Sequence, residues 1–177
     1  MSTEDTPTDP PPDPSLRGKM IAHASTTLPV APEIAWELIT DGDRLQKWYA
    51  FAGAAIEPVE GGRILLSWQD GEAFIGRVER FDPTRRFDYR LPQAPNATIT
   101  EDNSTLVQYL ITEAPDDPGH SVVTVREHGF EELAEEFRPH DAFSASAVAW
   151  IGAMGLLRQA LGFGEKPAWP DEPPTAP

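Results

Sequence analysis

The stretch HDAFSASAVAWIGAMGLLRQALG, residues 140–162, decides the fold. Apolar side chains recur in it at steps of three and four, the period of one face of an α-helix: Phe143, Ala147, Trp150, Ile151, Met154, Leu157 and Leu161. About 22 residues rising 1.5 Å each give roughly 33 Å, enough to cross a small domain. Because this face needs a partner and most of the preceding chain has strand character, we expect the helix to lie on a sheet.

The composition is that of a small globular protein with a strong negative charge. The chain has 177 residues, of which 40% are hydrophobic, enough for one domain with a core. With 14 Lys and Arg against 29 Asp and Glu, the formal charge is -15. A phosphate backbone would be repelled by this charge, so nucleic acid is not an expected partner.

Both ends of the chain differ in composition from its centre. Residues 1–17 are acidic and rich in proline, and residues 164–177 are rich in proline, so we expect disordered tails around a single domain at 18–163. Trp169, in the second tail, is expected to fold back into a groove, with a partner-binding motif as the alternative. The absence of a membrane span, a signal peptide and cysteine predicts a cytoplasmic protein.

The order of the predicted elements gives the fold class. A strand over 19–28 precedes two short helices, over 33–40 and 44–48, and six segments at 54–59, 63–69, 72–81, 86–91, 105–113 and 121–128 then alternate with period two. A three-residue loop, with Gly71 left-handed, would pair Leu66 with Phe74 and keep the apolar faces together. The prediction is an α+β protein: a curved antiparallel sheet of about six to seven strands wrapped around the long C-terminal helix.

Sequence motifs for catalysis are lacking. The four histidines have no metal-ligand spacing, and no nucleophile elbow, phosphate-binding loop or dinucleotide fingerprint occurs. We therefore assign no catalytic residue, no metal and no cofactor from the sequence.

Several short motifs, in this order and spacing, resemble one protein family over residues 19–163. They are Pro32-Glu33 to Trp36, Leu38-Ile39-Thr40, Leu45, Trp48, Gly61-Gly62, Gly71, Gly76-Arg77-Val78, Arg86-Phe87-Asp88-Tyr89, Val123-Thr124-Val125, His128-Gly129-Phe130 and the Trp150, Met154, Leu157, Leu161 pattern. The chain is similar to the helix-grip proteins of the SRPBCC (START-like) superfamily, and within it to the domain named for activators of the heat-shock-protein-90 ATPase. It departs from that pattern at Arg90, where tryptophan is common, and at Ala149, where glycine is.

The resemblance implies a cavity between the sheet and the final helix that binds a hydrophobic small molecule without catalysis. A chaperone-activating or other protein-interaction module, with a chaperone or a second copy as partner, is one alternative, and a cyclase- or dehydratase-type enzyme is another. Tyr89, Tyr109, Glu127 and His128 are the polar groups expected to orient a ligand. A filled core would account for the same aromatic residues. The expected lining comprises Trp48, Phe51, Leu66, Trp68, Phe74, Val78, Phe87, Tyr89, Tyr109, Ile111, Val123, Val125, Glu127, Phe143, Ala147, Trp150 and Met154.

Overall fold

The computed structural model describes residues 14–16, 19–138 and 142–161. The strands are β1 (Ala22–Leu28), β2 (Gly53–Ile56), β3 (Arg63–Ser67), β4 (Phe74–Asp82), β5 (Arg86–Pro92), β6 (Ser104–Glu113) and β7 (Ser121–His128). The helices are α1 (Pro32–Thr40), α2 (Gly42–Leu45) and α3 (Ala142–Ala160), with 3-10 turns at Pro14–Leu16, Phe130–Glu132 and Glu135–Phe137. The tails expected at 1–17 and 164–177, and Trp169 with them, lie outside the described residues apart from 14–16.

The seven strands form one antiparallel sheet in the order β1-β7-β6-β5-β4-β3-β2. The first strand thus lies beside the last, and β2 forms the other edge. The sheet curls around α3, which packs most closely against β1. The predicted α+β helix-grip architecture, with two short helices after the first strand, is confirmed. The described helices include no candidate for a membrane-spanning segment.

The register of the β3–β4 hairpin follows the prediction. Leu66 pairs with Phe74, and Gly71 in the connecting loop has a φ of 83°. Directly paired residues of antiparallel strands point to the same face of a sheet. Leu66 and Phe74 therefore face the same side, together with Ile64 and Val78, which are fully buried.

The concave face of the sheet carries the core. Along β7 every second residue points inward, so Val123, Val125 and Glu127 share a face. Paired with them on β6 are Ile111, Tyr109 and Val107, and the pairing continues to Phe87 and Tyr89 on β5. Apart from Glu127, these side chains are apolar or aromatic and are almost completely buried. They form the surface on which α3 lies.

Two details of the helices differ from the sequence expectation. Ile151, expected on the apolar face of α3, is 66% exposed, while Trp150, Ala153, Met154 and Leu157 are buried. The side of α3 that packs against the sheet is therefore narrower than the apolar face that the sequence predicts. The second short helix begins at Gly42 rather than at 44, because the Asp41 carboxylate accepts hydrogen bonds from the backbone N–H groups of Asp43 and Arg44 and so caps it.

Candidate functional site

A pocket of about 180 Å³ lies between the concave face of the sheet and α3. Strands β4 to β7 contribute to its walls, as do the segments that follow α2, β3 and β5. The exposed Ala149 on α3 is part of its lining, so the pocket reaches the protein surface. Its lining consists of Tyr49, Trp68, Phe74, Leu91, Pro92, Gln93, Val107, Glu127, Ser146, Ala149 and Trp150.

Four aromatic rings of the lining contact one another in a chain. The ring of Tyr49 stacks on that of Trp150, with centroids 5.2 Å apart, and meets the ring of Trp68 edge-on at 5.1 Å. Trp68 in turn meets Phe74 edge-on at 5.4 Å. The β3–β4 loop explains the last contact, since Trp68 follows β3 and Phe74 opens β4. The pocket is therefore bounded by π-systems from three separate parts of the fold.

One carboxylate lies among these rings. Glu127 is only 7% exposed. Its Oε1 accepts a hydrogen bond of 2.6 Å from the Thr105 hydroxyl, and its Oε2 accepts one of 2.7 Å from the Trp150 indole N–H. Both donors are themselves buried, so the carboxylate is held in a fixed orientation on the pocket wall.

Three tyrosine side chains surround this carboxylate. Burial raises the pKa of Tyr89 and of Tyr109 well above that of a free tyrosine, and Glu127 adds to both rises. Burial also raises the pKa of Tyr49, and the nearby Tyr109 and Glu127 raise it further. All three hydroxyls therefore stay protonated at neutral pH. The buried Tyr109 hydroxyl has no hydrogen-bond partner among the described residues.

The residues expected to line a cavity fall into three groups. Trp68, Phe74, Glu127 and Trp150 line the pocket. Ten others are buried in the core beneath it: Trp48, Leu66, Val78, Phe87, Tyr89, Tyr109, Ile111, Val123, Val125 and Met154. Of the remaining three, Phe143 and Ala147 are partly buried on α3, where Phe143 packs edge-on against Phe130, whereas Phe51 is 57% exposed.

The polar groups Glu127 and His128 lie on opposite faces of the sheet. Consecutive residues of a strand alternate in direction, and Glu127 faces the pocket. His128 is half-buried on the other side, where burial, and then the positive charge of Lys19, lower its pKa. The two side chains cannot act together on one ligand.

Seven pocket residues were missed by the sequence prediction: Tyr49, Leu91, Pro92, Gln93, Val107, Ser146 and Ala149. Val107 shares the strand parity of Tyr109, and Leu91 that of Tyr89, so the period-two pattern would have found both. Tyr49 and Gln93 lie in connecting segments, where no periodicity indicates the direction of a side chain.

Metal ligation has no basis in the described part of the chain. Residues 14–16, 19–138 and 142–161 contain no group of three or more His, Asp or Glu side chains that could hold an ion. Besides its aromatic rings, the pocket lining offers the polar side chains of Tyr49, Gln93, Glu127 and Ser146.

A curved antiparallel sheet gripping a C-terminal helix, with an aromatic pocket between them, defines the helix-grip class of proteins. The family model described as "Activator of Hsp90 ATPase homolog 1-like protein" matches residues 29–147. The chain belongs to this family, within the SRPBCC superfamily. No curated protein matches the sequence.

Solved structures share this fold at low sequence identity. Protein MLL2253 from Mesorhizobium loti is 16% identical, with a TM-score of 0.63, over 80% of this chain and 96% of its own. The Aha1 dimer from Colwellia psychrerythraea is 15% identical, with a TM-score of 0.60, over 82% and 98%. PFC0360w, an HSP90 activator from Plasmodium falciparum, is 13% identical, with a TM-score of 0.63, over 83% and 99%.

Proposed function

We propose that this protein is a non-catalytic module that binds a small, mainly hydrophobic molecule between the sheet and α3. The observation that carries this proposal is the pocket itself, with four mutually contacting aromatic rings and one oriented carboxylate. Mostly apolar walls with a few convergent polar groups are the usual form of a small-molecule site.

The size of the pocket limits the ligand. A cavity of about 150 Å³ accommodates benzene, and this pocket of about 180 Å³ is slightly larger. The ligand, or the part of it that enters the pocket, is therefore a single ring with a short substituent. A larger molecule would extend past Ala149 and Ser146 to the surface.

A matched pair of variants tests the proposal. Ala149 and Ala145 are both exposed residues of α3, but only Ala149 lines the pocket. Ala149→Leu fills the space with an isobutyl group, whereas Ala145→Leu adds the same group one turn earlier. We expect single-ring compounds to bind the wild-type protein and Ala145→Leu in ligand-observed NMR and thermal-shift measurements, and binding by Ala149→Leu to be lost. If none of a library of single-ring compounds binds the wild-type protein, the proposal fails.

Stimulation of the ATPase of an Hsp90-class chaperone is the second candidate function. The description of the matching family model and the likeness to the HSP90 activator PFC0360w favour it. The assay measures the ATPase rate of an Hsp90-class chaperone from the organism that encodes this protein, at increasing concentrations of this protein. A dose-dependent rise that Ala149→Leu retains would assign activation to a surface other than the pocket, and an unchanged rate would remove this candidate.

A second copy of the chain is the alternative partner. The related Aha1 structure from Colwellia psychrerythraea is a dimer. Size-exclusion chromatography with light-scattering detection, run at several protein concentrations, decides between a monomer and a dimer for this chain.

A further inference from the structure

The Glu127 carboxylate in the pocket has no positively charged partner among residues 14–16, 19–138 and 142–161. Its hydrogen bonds within the described chain come from Thr105 and Trp150, both neutral donors. Asp88, the other buried carboxylate among the described residues, lies on the convex face and accepts a forked pair of hydrogen bonds from the Arg86 guanidinium, the shortest at 2.7 Å. Of these two described carboxylates, Glu127 is the one without a cation in the part of the chain that the structure describes.

Glu127 also has unused acceptor capacity. A carboxylate offers about four lone-pair sites, and one hydrogen bond reaches each of its oxygens. Since Glu127 is part of the pocket lining, a donor inside the pocket can approach the remaining sites.

The rings beside Glu127 suit a cation as well. The faces of tryptophan and tyrosine rings attract ammonium groups, and an aromatic enclosure is a recurrent way of binding them. Tyr49, Trp68, Phe74 and Trp150 line the same pocket as Glu127 and contact one another. The formal charge of -15 on the whole chain also raises the local concentration of cations at the protein surface.

From this buried carboxylate, which meets no cation among the described residues, and from the aromatic rings that line the same pocket, we infer that the ligand is a cationic amine: a single ring or short apolar body with a protonated nitrogen that pairs with Glu127. The ammonium group donates to the free lone pairs of Glu127, and the apolar body contacts Trp68, Phe74 and Leu91. This inference rests on the proposed function, since it specifies the ligand of the same pocket. An anionic ligand of the same size is excluded by repulsion from the buried carboxylate.

Three compounds of nearly equal size and different charge test the inference. Benzylamine is a cation at neutral pH, benzyl alcohol is neutral and benzoate is an anion. Their dissociation constants for the wild-type protein and for Glu127→Gln are measured by isothermal titration calorimetry and ligand-observed NMR. We expect benzylamine to bind the wild-type protein at least about tenfold more tightly than benzyl alcohol, and benzoate to bind most weakly. In Glu127→Gln the advantage of benzylamine should fall to within about twofold, with benzyl alcohol little changed.

The possible results separate this inference from the proposed function. If benzyl alcohol binds as tightly as benzylamine, or if benzylamine keeps its advantage in Glu127→Gln, the cationic ligand is refuted and the proposed pocket function stands. If none of the three compounds binds the wild-type protein at millimolar concentration, the cationic ligand is refuted, and the wider set of single-ring compounds decides the proposed function. The ranking of the compounds on the wild-type protein needs no substitution, so it decides the inference even if Glu127→Gln does not fold.

Discussion

Replacing Gly76 with alanine should destabilise the protein strongly, because β4 and β5 leave no room for a side chain there. A Cβ at Gly76 would lie 2.1 Å from the backbone oxygen of Arg90 and 3.1 Å from Cγ2 of Ile64. Relief of the first contact requires β4 and β5 to separate by about 1 Å, which lengthens neighbouring ladder hydrogen bonds beyond normal range. Overpacking of this kind costs about 1–3 kcal/mol, and each weakened hydrogen bond about 0.5–1.5 kcal/mol.

We therefore expect Gly76→Ala to lower the free energy of unfolding by about 2–4 kcal/mol. At about 3 °C per kcal/mol, the melting temperature falls by roughly 6–12 °C. Urea unfolding followed by tryptophan fluorescence measures the change. Gly152→Ala is the matched control, because a Cβ at Gly152 on α3 meets nothing within 4 Å. That variant should gain about 0.5–1 kcal/mol from helix propensity. A Gly76→Ala protein within about 1 kcal/mol of wild type would refute the close approach of the two strands.

Two further predictions concern hydrogen bonding and protonation. Trp150→Phe should cost about 1 kcal/mol more in unfolding free energy than Trp48→Phe, since the Trp150 indole donates to a carboxylate and the Trp48 indole, at 2.9 Å, to the carbonyl of Leu38. Urea denaturation of both variants measures the difference, and an equal or larger loss for Trp48→Phe would contradict a stronger hydrogen bond at Trp150. His128 has a folded-state pKa below that of the unfolded chain, so its contribution to stability is present above about pH 6.5 and is lost as the pH falls through the two pKa values. His128→Gln should consequently lose less stability than wild type between pH 7.5 and pH 5, and an unchanged slope would count against the buried neutral imidazole.

The period-two pattern of the strands predicts most of the sheet: its register and the face on which each side chain lies. Side chains alternate between the two faces of a strand, so a register error of one residue would move every apolar group into water. This constraint is why the sequence predicts the Leu66–Phe74 pairing and the shared face of Val123, Val125 and Glu127, both of which the structure shows. The same constraint located Glu127 on the concave face, although not its hydrogen bonds.

In the loop between α2 and β2, the sequence does not predict which side chains enter the pocket. Tyr49 and Phe51 are both aromatic residues just after Trp48. Tyr49 lines the pocket, whereas Phe51 is mostly exposed. No period operates in a loop, and the direction of each side chain depends on the path the chain takes between packed elements. The prediction that Ile151 is covered was wrong for a related reason. Helical periodicity identifies the apolar face of α3, but not how much of that face the sheet covers.

The energetics of Glu127 connect the fold with the proposed ligand. An isolated buried carboxylate costs several kcal/mol of desolvation, and an apolar residue of similar volume at such a site is often neutral or stabilising. The residues that flank Glu127 on its face of β7 and β6, Val125 and Val107, are apolar, so packing alone does not require a charge there. Thr105 and Trp150 offset part of the cost but supply no positive charge. A cationic ligand would supply it, and its binding would then stabilise the fold as well as the complex.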